Sequence, residues 1–338
     1  MSAVIGWDIG GVHLKAARAE GGRVTKVAQY ASPLRSGTER LLQAFAEAKK
    51  YLGRADRDIV TMTGELADTF SSRMDGVKHL ADLAARELGS VLIYAGSAGY
   101  VRPEDARKHY AEIASANWHA CATLIARKCR HALLIDLGST TTDIVPIVQG
   151  KTVARGYTDA QRLAAGELVY TGMVRGFVMA TADRAPFRGA WTPLVNENFA
   201  TMADVHRILG TLPPDADLMP TADGRPKTID ASRARLARML GTDASDGNDE
   251  TWTLVARWFA EAQTRAICDA ARLVLSAGTL PSSTTIVAAG IGRVLVDEIG
   301  RRLSCACIGF DDLCDVAAEA RAAACYCAPA VSLAVLSS

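Results

Sequence analysis

The sequence predicts a duplicated α/β protein, with two lobes built on mixed sheets around a central cleft and a cap inserted into the second lobe. Three observations carry that expectation. The chain holds 338 residues, more than one hydrophobic core commonly serves, which favours two lobes. Its 49% hydrophobic and 22% charged content supplies cores and surface in ordinary globular proportion. One local pattern also occurs twice: an apolar run that ends on an aspartate, a glycine turn, and a second strand-like run.

The fuller copy covers residues 133–146. Leu133, Leu134 and Ile135 lead to Asp136, and Gly138 frees the backbone to curl around an anion. Ser139, Thr140, Thr141 and Thr142 supply hydroxyl donors, and successive N–H groups in such a turn favour phosphate. Asp143 follows Asp136 by seven residues, so it can face the same cavity from the returning strand. The other copy begins at Val4. Aligning Asp8 with Asp136 sets Gly10 against Gly138, Gly11 against Ser139 and Lys15 against Asp143. An acid that ends a buried strand needs a partner, and the pair of turns reads as a site for phosphate and a metal ion.

The remaining elements follow in order. Gly21 and Gly22 mark a hairpin turn and 24–30 a third strand, the start of a meander at the edge of a mixed sheet. The spacing of Leu41, Leu42, Phe45 and Ala48 predicts a helix over 37–52, closed by Gly53. A strand at 58–63, a helix at 74–88 stopped by Gly89 and a strand at 91–94 come next. One long helix over 113–128 then feeds the fuller copy. After Pro146, Gln149, Gly150 and Lys151 close another hairpin, 152–156 continues the sheet, and 165–172 reads as a loop. From 181 to 249 most of the prolines gather with glycines and aspartates around two helical pieces, 200–209 and 232–240. This stretch is too apolar to stay disordered and reads as a cap that shapes a substrate pocket. A helix at 249–276, a strand opening on Gly290 and Gly292, a helix at 294–303 and a strand at 305–308 precede a terminal helix at 316–336, kinked near Pro329. The expected lobes are 1–130, with 316–338 packing back on it, and 131–315, which contains the cap at 181–249.

A formal net charge of +1 gives no reason to expect a nucleic acid or an anionic membrane as partner, and no apolar run is long enough to span a bilayer. The N-terminus lacks a basic n-region and carries Asp8 where a signal peptide needs apolar residues, so a cytoplasmic location is expected. Cys305, Cys307, Cys314, Cys325 and Cys327 crowd the last stretch, but their spacings fit no zinc or iron–sulfur pattern. Buried, reduced thiols are expected there. Small-molecule substrates are the expected partners, and a homo-oligomer is compatible with the sequence.

Asp8-Ile9-Gly10-Gly11, the 136–143 turn and Val287-Ala288-Ala289-Gly290-Ile291-Gly292 occur in the order of the two phosphate motifs and the adenosine motif of the actin/sugar-kinase/Hsp70 superfamily, which the chain resembles. No Walker lysine motif is present, which excludes a P-loop. Residues 61–66, 165–172, 197–205 and 221–224 look like the hydantoinase/oxoprolinase-related branch, and within it like proteins linked to tetrahydromethanopterin-dependent C1 transfer. The resemblance implies an actin-like, ribonuclease H-like fold. It also implies the activity of that group's archaeal methanofuran-biosynthesis (methylofuran-type) synthases. These join an aminomethylfuran-methyl diphosphate to the phenol oxygen of γ-glutamyltyramine, or a related tyrosine-derived phenol, and release diphosphate.

On that reading Asp8 and Asp136 hold Mg²⁺, while Gly10, Gly11, Gly138, Ser139, Thr140 and Thr141 grip phosphates. Lys15 adds a point charge, and His13 is either a phosphate donor or a surface side chain. A phenol with a pKa of about 10 needs a base; Glu65, Glu167 and Asp143 are the candidates, with Glu65 favoured. Gly166, Gly290 and Gly292 are expected beside substrate, and Arg162, Arg175 or Arg225 to receive a substrate carboxylate. Trp118 and His119 are read as helix packing. The competing readings are an ATP-dependent kinase or amidohydrolase, in which Gly290 and Gly292 would touch adenosine, and a non-enzymatic nucleotide switch. ATP is possible but not expected to be required.

Overall fold

The structure, a computed structural model, describes residues 2–338; Met1, first in the expected lobe 1–130, lies outside the described residues. The first sheet grows from the expected meander. β1 (Ala3–Ile9), β2 (His13–Glu20) and β3 (Arg23–Ala31) pair antiparallel, turning at Gly21 and Gly22, both at positive φ. β1 is buried along its whole length because it is central. A crossover through α1 (Glu39–Leu52) brings β4 (Arg57–Met62) parallel to its other side. α1 turns Leu41, Ala44, Phe45 and Ala48 to the core and leaves Leu42 exposed, one step off the expected stripe. α2 (Arg73–Leu88), capped by the Ser72 side chain, leads to β5 (Val91–Tyr94), and β6 (Tyr100–Val101) closes the edge.

The long helix expected over 113–128 is broken. α3 (Tyr110–Ile113) ends before Ser115, and α4 (Asn117–Lys128) begins after it. Ser115 has φ of 55°, the left-handed region through which a right-handed helix cannot run.

The second sheet repeats the plan. β7 (His131–Leu137) and β8 (Thr142–Val148) pair with Asp136 opposite Asp143, as Asp8 lies opposite Lys15 in the first sheet. β9 (Lys151–Thr152) is shorter than the strand expected over 152–156. α5 (Asp159–Ala165) opens on a capping box of Thr158 and Gln161. Within the expected loop, β10 (Leu168–Val169) pairs with the start of β8. The cap then contributes α6 (Val178–Thr181), a hairpin of β11 (Arg184–Phe187) and β12 (Ala190–Pro193), α7 (Met202–Ile208) and α8 (Ile229–Met239). The hairpin was not expected, because prolines interrupt its strands; its turn holds Arg188 and Gly189, both at positive φ. α9 (Asp249–Leu275) joins two cores, with Trp252, Val255 and Phe259 in the cap and Ile267, Cys268 and Ala271 against the second sheet. β13 (Thr285–Ala289) runs parallel to β7, and a crossover through α10 (Arg293–Leu303) brings in β14 (Cys307–Gly309) parallel to β13. In both sheets the first strand thus has an antiparallel neighbour on one side and a parallel one on the other.

The terminal helix expected over 316–336 is two helices. α11 (Arg321–Tyr326) and α12 (Ala328–Leu336) meet around Cys327, and the helical segments 318–326 and 328–336 are bent by 113°. Pro329 lies in the first turn of α12, where its missing N–H is not needed, so it starts a helix instead of kinking one. Val316 is extended and bridges Val24. α4 and α12 sit between the sheets. A single buried cluster takes Ala17 and Val24 from the first sheet, Leu134 and Val145 from the second, Ile125 from α4 and Val331 from α12. Cys325 and Cys327 are buried as expected, whereas Cys305, Cys307 and Cys314 are half-buried. Among the described residues no single helix is long and apolar enough to cross a membrane.

The packing of α12 on β1 depends on Gly6, where a Cβ would run into the carbonyl oxygen of Ala330. Backbone cannot yield there without moving the helix. Gly6→Ala is therefore expected to cost about 2 kcal/mol, as overpacked sites do, read as a lower urea midpoint with an unchanged denaturant slope.

Candidate active site

Both β-hairpin turns open onto one cavity of about 440 Å³. The two turns are closed by the same hydrogen bond: Gly10 N–H donates to His13 O at 2.9 Å, and Gly138 N–H donates to Thr141 O at 2.9 Å. Gly10, Gly11, Gly138, Ser139, Thr140 and Thr141 all line the cavity, as the duplication implied. Asp8, Asp136 and Asp143 reach it from the strands beside the turns. A second layer holds the later turn in place. Met173 N–H donates to Gly138 O at 3.0 Å, and the N–H groups of Val174 and Arg175 donate to Ser139 O at 3.0 and 2.9 Å.

The three carboxylates set the electrostatics. Burial pushes the Asp136 carboxyl up to about 7, with Asp143 adding to the rise and Lys15 opposing it. Asp8 is raised by burial against the pull of Lys15, whose Nζ lies 3.9 Å from Asp8 Oδ2; its Oδ1 is buried without a partner. Asp143 is raised by burial although Arg162 donates to its Oδ1 at 2.8 Å. Burial depresses Lys15, but Asp8 with Cys327, Asp136 and Cys121 together outweigh it and the net shift is upward. Convergent hard oxygens with an orphan atom fit a divalent cation such as Mg²⁺. Among the described residues no three His, Cys, Asp or Glu side chains stand close enough to ligate one ion together. A cation at Asp8 and Asp136 would therefore draw most ligands from water and phosphate oxygens.

His13 is buried and lines the cavity, so the surface reading is wrong. Burial, with Lys15 and Arg175 adding to it, holds its pKa down to about 3, which leaves a neutral imidazole with one N–H to donate. Its Nε2 has no partner.

Several other expectations fail on geometry. Glu167 faces away from the cavity and is fully buried, accepting from the N–H groups of Arg155 at 2.7 Å and Gly156 at 2.9 Å. Gly166 is the left-handed residue that ends α5, close against Leu273. Gly290 and Gly292 do not line the cavity either: a Cβ on Gly290 would strike Leu137 O, and one on Gly292 the Leu137 side chain. They let the turn after β13 press on the end of β7, so they position Asp136 instead of touching ligand. Arg162 is committed to Asp143 and to Glu167 O at 2.8 Å, stacked 4.3 Å over Trp118. Arg225 lies in the cap beside Asp223 at 4.0 Å, away from the cavity. Of the three arginines, only Arg175 offers its charge to the cavity.

Glu65 takes an indirect position. It is 1% exposed and sits behind Ser115, whose Oγ donates to Glu65 Oε1 at 3.0 Å; it is Ser115, with Asp159, that lines the cavity. Arg73 donates to Ser115 Oγ at 2.9 Å and to Asp159 at 2.6 Å. Burial pushes the Glu65 carboxyl up to about 7 against the Ser115 hydrogen bond and Arg73, and its Oε2 has no partner. Trp118 and His119 pack as expected, His119 Nδ1 sharing a hydrogen bond with Tyr94 OH at 2.7 Å. Sequence reasoning missed Arg35, Ser115, Asp159 and the relay from the cap. In that relay His206 Nε2 meets Gln263 Oε1 at 2.8 Å, and Gln263 Nε2 donates to Thr171 Oγ1 and Gly172 O, both at 2.9 Å. No residue type signals any of these, the left-handed Ser115 included.

Residues 56–329 match the hydantoinase/oxoprolinase family. The chain is 32% identical over 249 residues to (4-{4-[2-(gamma-L-glutamylamino)ethyl]phenoxymethyl}furan-2-yl)methanamine synthase of Methanocaldococcus jannaschii, covering 73% of this chain and 74% of that protein. It is 31% identical over 131 residues to a protein of the same name from Methanococcus vannielii, covering 38% of this chain and 59% of that one. Among solved structures, nucleotide-free acetone carboxylase superposes with a TM-score of 0.59 at 12% identity, over 89% of this chain and 67% of that one. With the repeated sheet order, that likeness shows the actin-like fold.

Asp136 and Glu65 both titrate near 7 when folded and near 4 when unfolded. A carboxyl raised by folding contributes stability that is complete below the unfolded value and lost as pH rises through the folded one. Chelator-treated protein should therefore lose several degrees of Tm between about pH 5 and about pH 8, by calorimetry. Asp136→Asn should shrink that loss.

Proposed function

The chain belongs to the hydantoinase/oxoprolinase family, and on that premise we propose that it is a transferase of methanofuran-type cofactor biosynthesis. It condenses an aminomethylfuran-methyl diphosphate with the phenol oxygen of γ-glutamyltyramine or a related tyrosine-derived phenol. The observation that carries this reading is one cavity shared by two equivalent glycine turns and by Asp8, Asp136 and Asp143. The chain that holds it is 32% identical to a synthase named for that furan–phenol ether.

The phenol oxygen bonds to the furylmethyl carbon, and the carbon–oxygen bond to diphosphate breaks with its electron pair leaving on diphosphate. The phenol proton must go elsewhere. The N–H groups and hydroxyls of the two turns receive phosphate oxygens, and neutral His13 adds a donor without competing for a proton. Mg²⁺ bound at Asp8 and Asp136 would neutralise charge that develops on the leaving group. Lys15, held charged beside Asp8, contributes a fixed positive charge. Asp143 is tied to Arg162 and orients the second turn instead of accepting the proton. Ser115 passes the proton to Glu65, whose carboxyl near 7 suits a base at neutral pH. The position of Gly290 and Gly292 outside the cavity counts against an adenosine contact there.

The protein, Mg²⁺, a furfuryl-type diphosphate and a tyramine derivative should yield diphosphate and an aryl ether by mass spectrometry without ATP. Turnover that strictly requires ATP would overturn the reading. Asp136→Asn should lower kcat by about 10²-fold or more while the fold survives. Glu65→Gln should lower kcat by roughly 10²-fold and remove the rise in rate through about pH 7.

A further inference from the structure

Arg35, in a turn after β3 of the first sheet, and Arg175, in the loop after β10 of the second, line the same cavity. Arg35 follows Leu34, whose N–H donates to Gly11 O at 3.0 Å, and Arg175 donates its own N–H to Ser139 O at 2.9 Å. Each arginine is thus anchored through main chain to one of the two phosphate turns. The other basic side chains on the cavity have acids: Lys15 has Asp8 at 3.9 Å and Arg162 has Asp143 at 2.8 Å. Among the described residues, Arg35 and Arg175 make no salt bridge. Arg175 is half-buried, and burial together with the field of Arg35 depresses it. Two unpaired guanidinium groups at one cavity repel, and an anion between them would offset that repulsion.

We propose that Arg35 and Arg175 form a two-armed clamp for the outer phosphate of a diphosphate, while the turns hold the inner phosphate beside the aspartates. Depth assigns the two ends. Asp8 and Asp143 are buried, Asp136 is half-buried and Arg35 is exposed, so the reacting carbon faces inward and the terminal phosphate outward. A planar guanidinium fork matches phosphate oxygens in pairs, which a point charge such as Lys15 cannot do. The clamp rests on the proposed reaction for the identity of its natural donor, but its ligand chemistry is testable with inorganic diphosphate alone.

Calorimetric titration of full-length protein with inorganic diphosphate and Mg²⁺ compares wild type with Arg35→Gln, Arg175→Gln, the double glutamine variant and the double lysine variant. Each glutamine substitution should weaken binding by about ten- to a hundredfold, and the lysine pair should recover part of the loss. The KM for the furan diphosphate should rise in parallel while the KM for the phenol stays within about twofold. Because Arg35 is exposed, its substitution leaves the unfolding curve unchanged and isolates the binding effect. Diphosphate affinity within about twofold of wild type in the double glutamine variant would overturn the clamp. So would a rise in KM confined to a γ-glutamylated acceptor and absent for tyramine, which would give the pair to a carboxylate. Tight, arginine-dependent diphosphate binding without ether formation would sink the proposed reaction and leave the clamp standing.

Discussion

The placing of Asp136 directly opposite Asp143 at the edge of the cavity is the constraint on which the site depends. Two like charges on facing strand positions repel, and where water is partly excluded they cost more than on an open surface. The fold meets this with Arg162, itself almost fully buried and held by Trp118, and with an Asp136 carboxyl that desolvation pushes up to about 7. The first hairpin has the same geometry and the opposite charge logic, since Lys15 stands where Asp143 stands and makes a neutral pair with Asp8. The duplication therefore preserves the turns while making the two halves unequal. The second hairpin carries the negative charge left unpaired at Asp136, and the first supplies a fixed positive one.

Holding such a pair requires backbone to come close from several sides. Gly290 and Gly292 bring the turn after β13 onto the end of β7, and Gly172 brings the loop carrying Arg175 onto Ser139 and Thr140. Side chains at these places would push the layers apart. The carboxylates are thus fixed by main-chain packing, and the pocket around them is shaped by what those loops carry.

That distinction explains what the sequence made legible. The hairpins could be read because apolar run, acid, glycine and the seven-residue return are all local, and antiparallel pairing turns that spacing into a facing pair. Most helices could be read from their apolar spacing. The errors are of another kind. Glu167, Gly166, Gly290 and Gly292 sit in the stretches that carry the family resemblance, yet none faces the cavity. Their importance to the fold is real, but which way a side chain points is decided by elements far along the chain. Arg35, Ser115 and Asp159 escaped for the same reason: each arrives at the cavity through a tertiary approach and carries no local signature.

The cap, expected to shape the pocket, lies outside the cavity lining and reaches it only through buried polar contacts. His206 on α7 and Gln263 on α9 are both buried, and together they bond the segment that ends in Arg175. Burial holds His206 down to about 4, with Gln263 opposing, so at neutral pH the ring is uncharged and the link does not switch. A neutral, fully paired relay of this sort is stiff, because breaking any member leaves a buried polar atom unsatisfied. The cap is therefore coupled to the second glycine turn by geometry alone: none of residues 181–249 lines the cavity, and the relay fixes the loop that does.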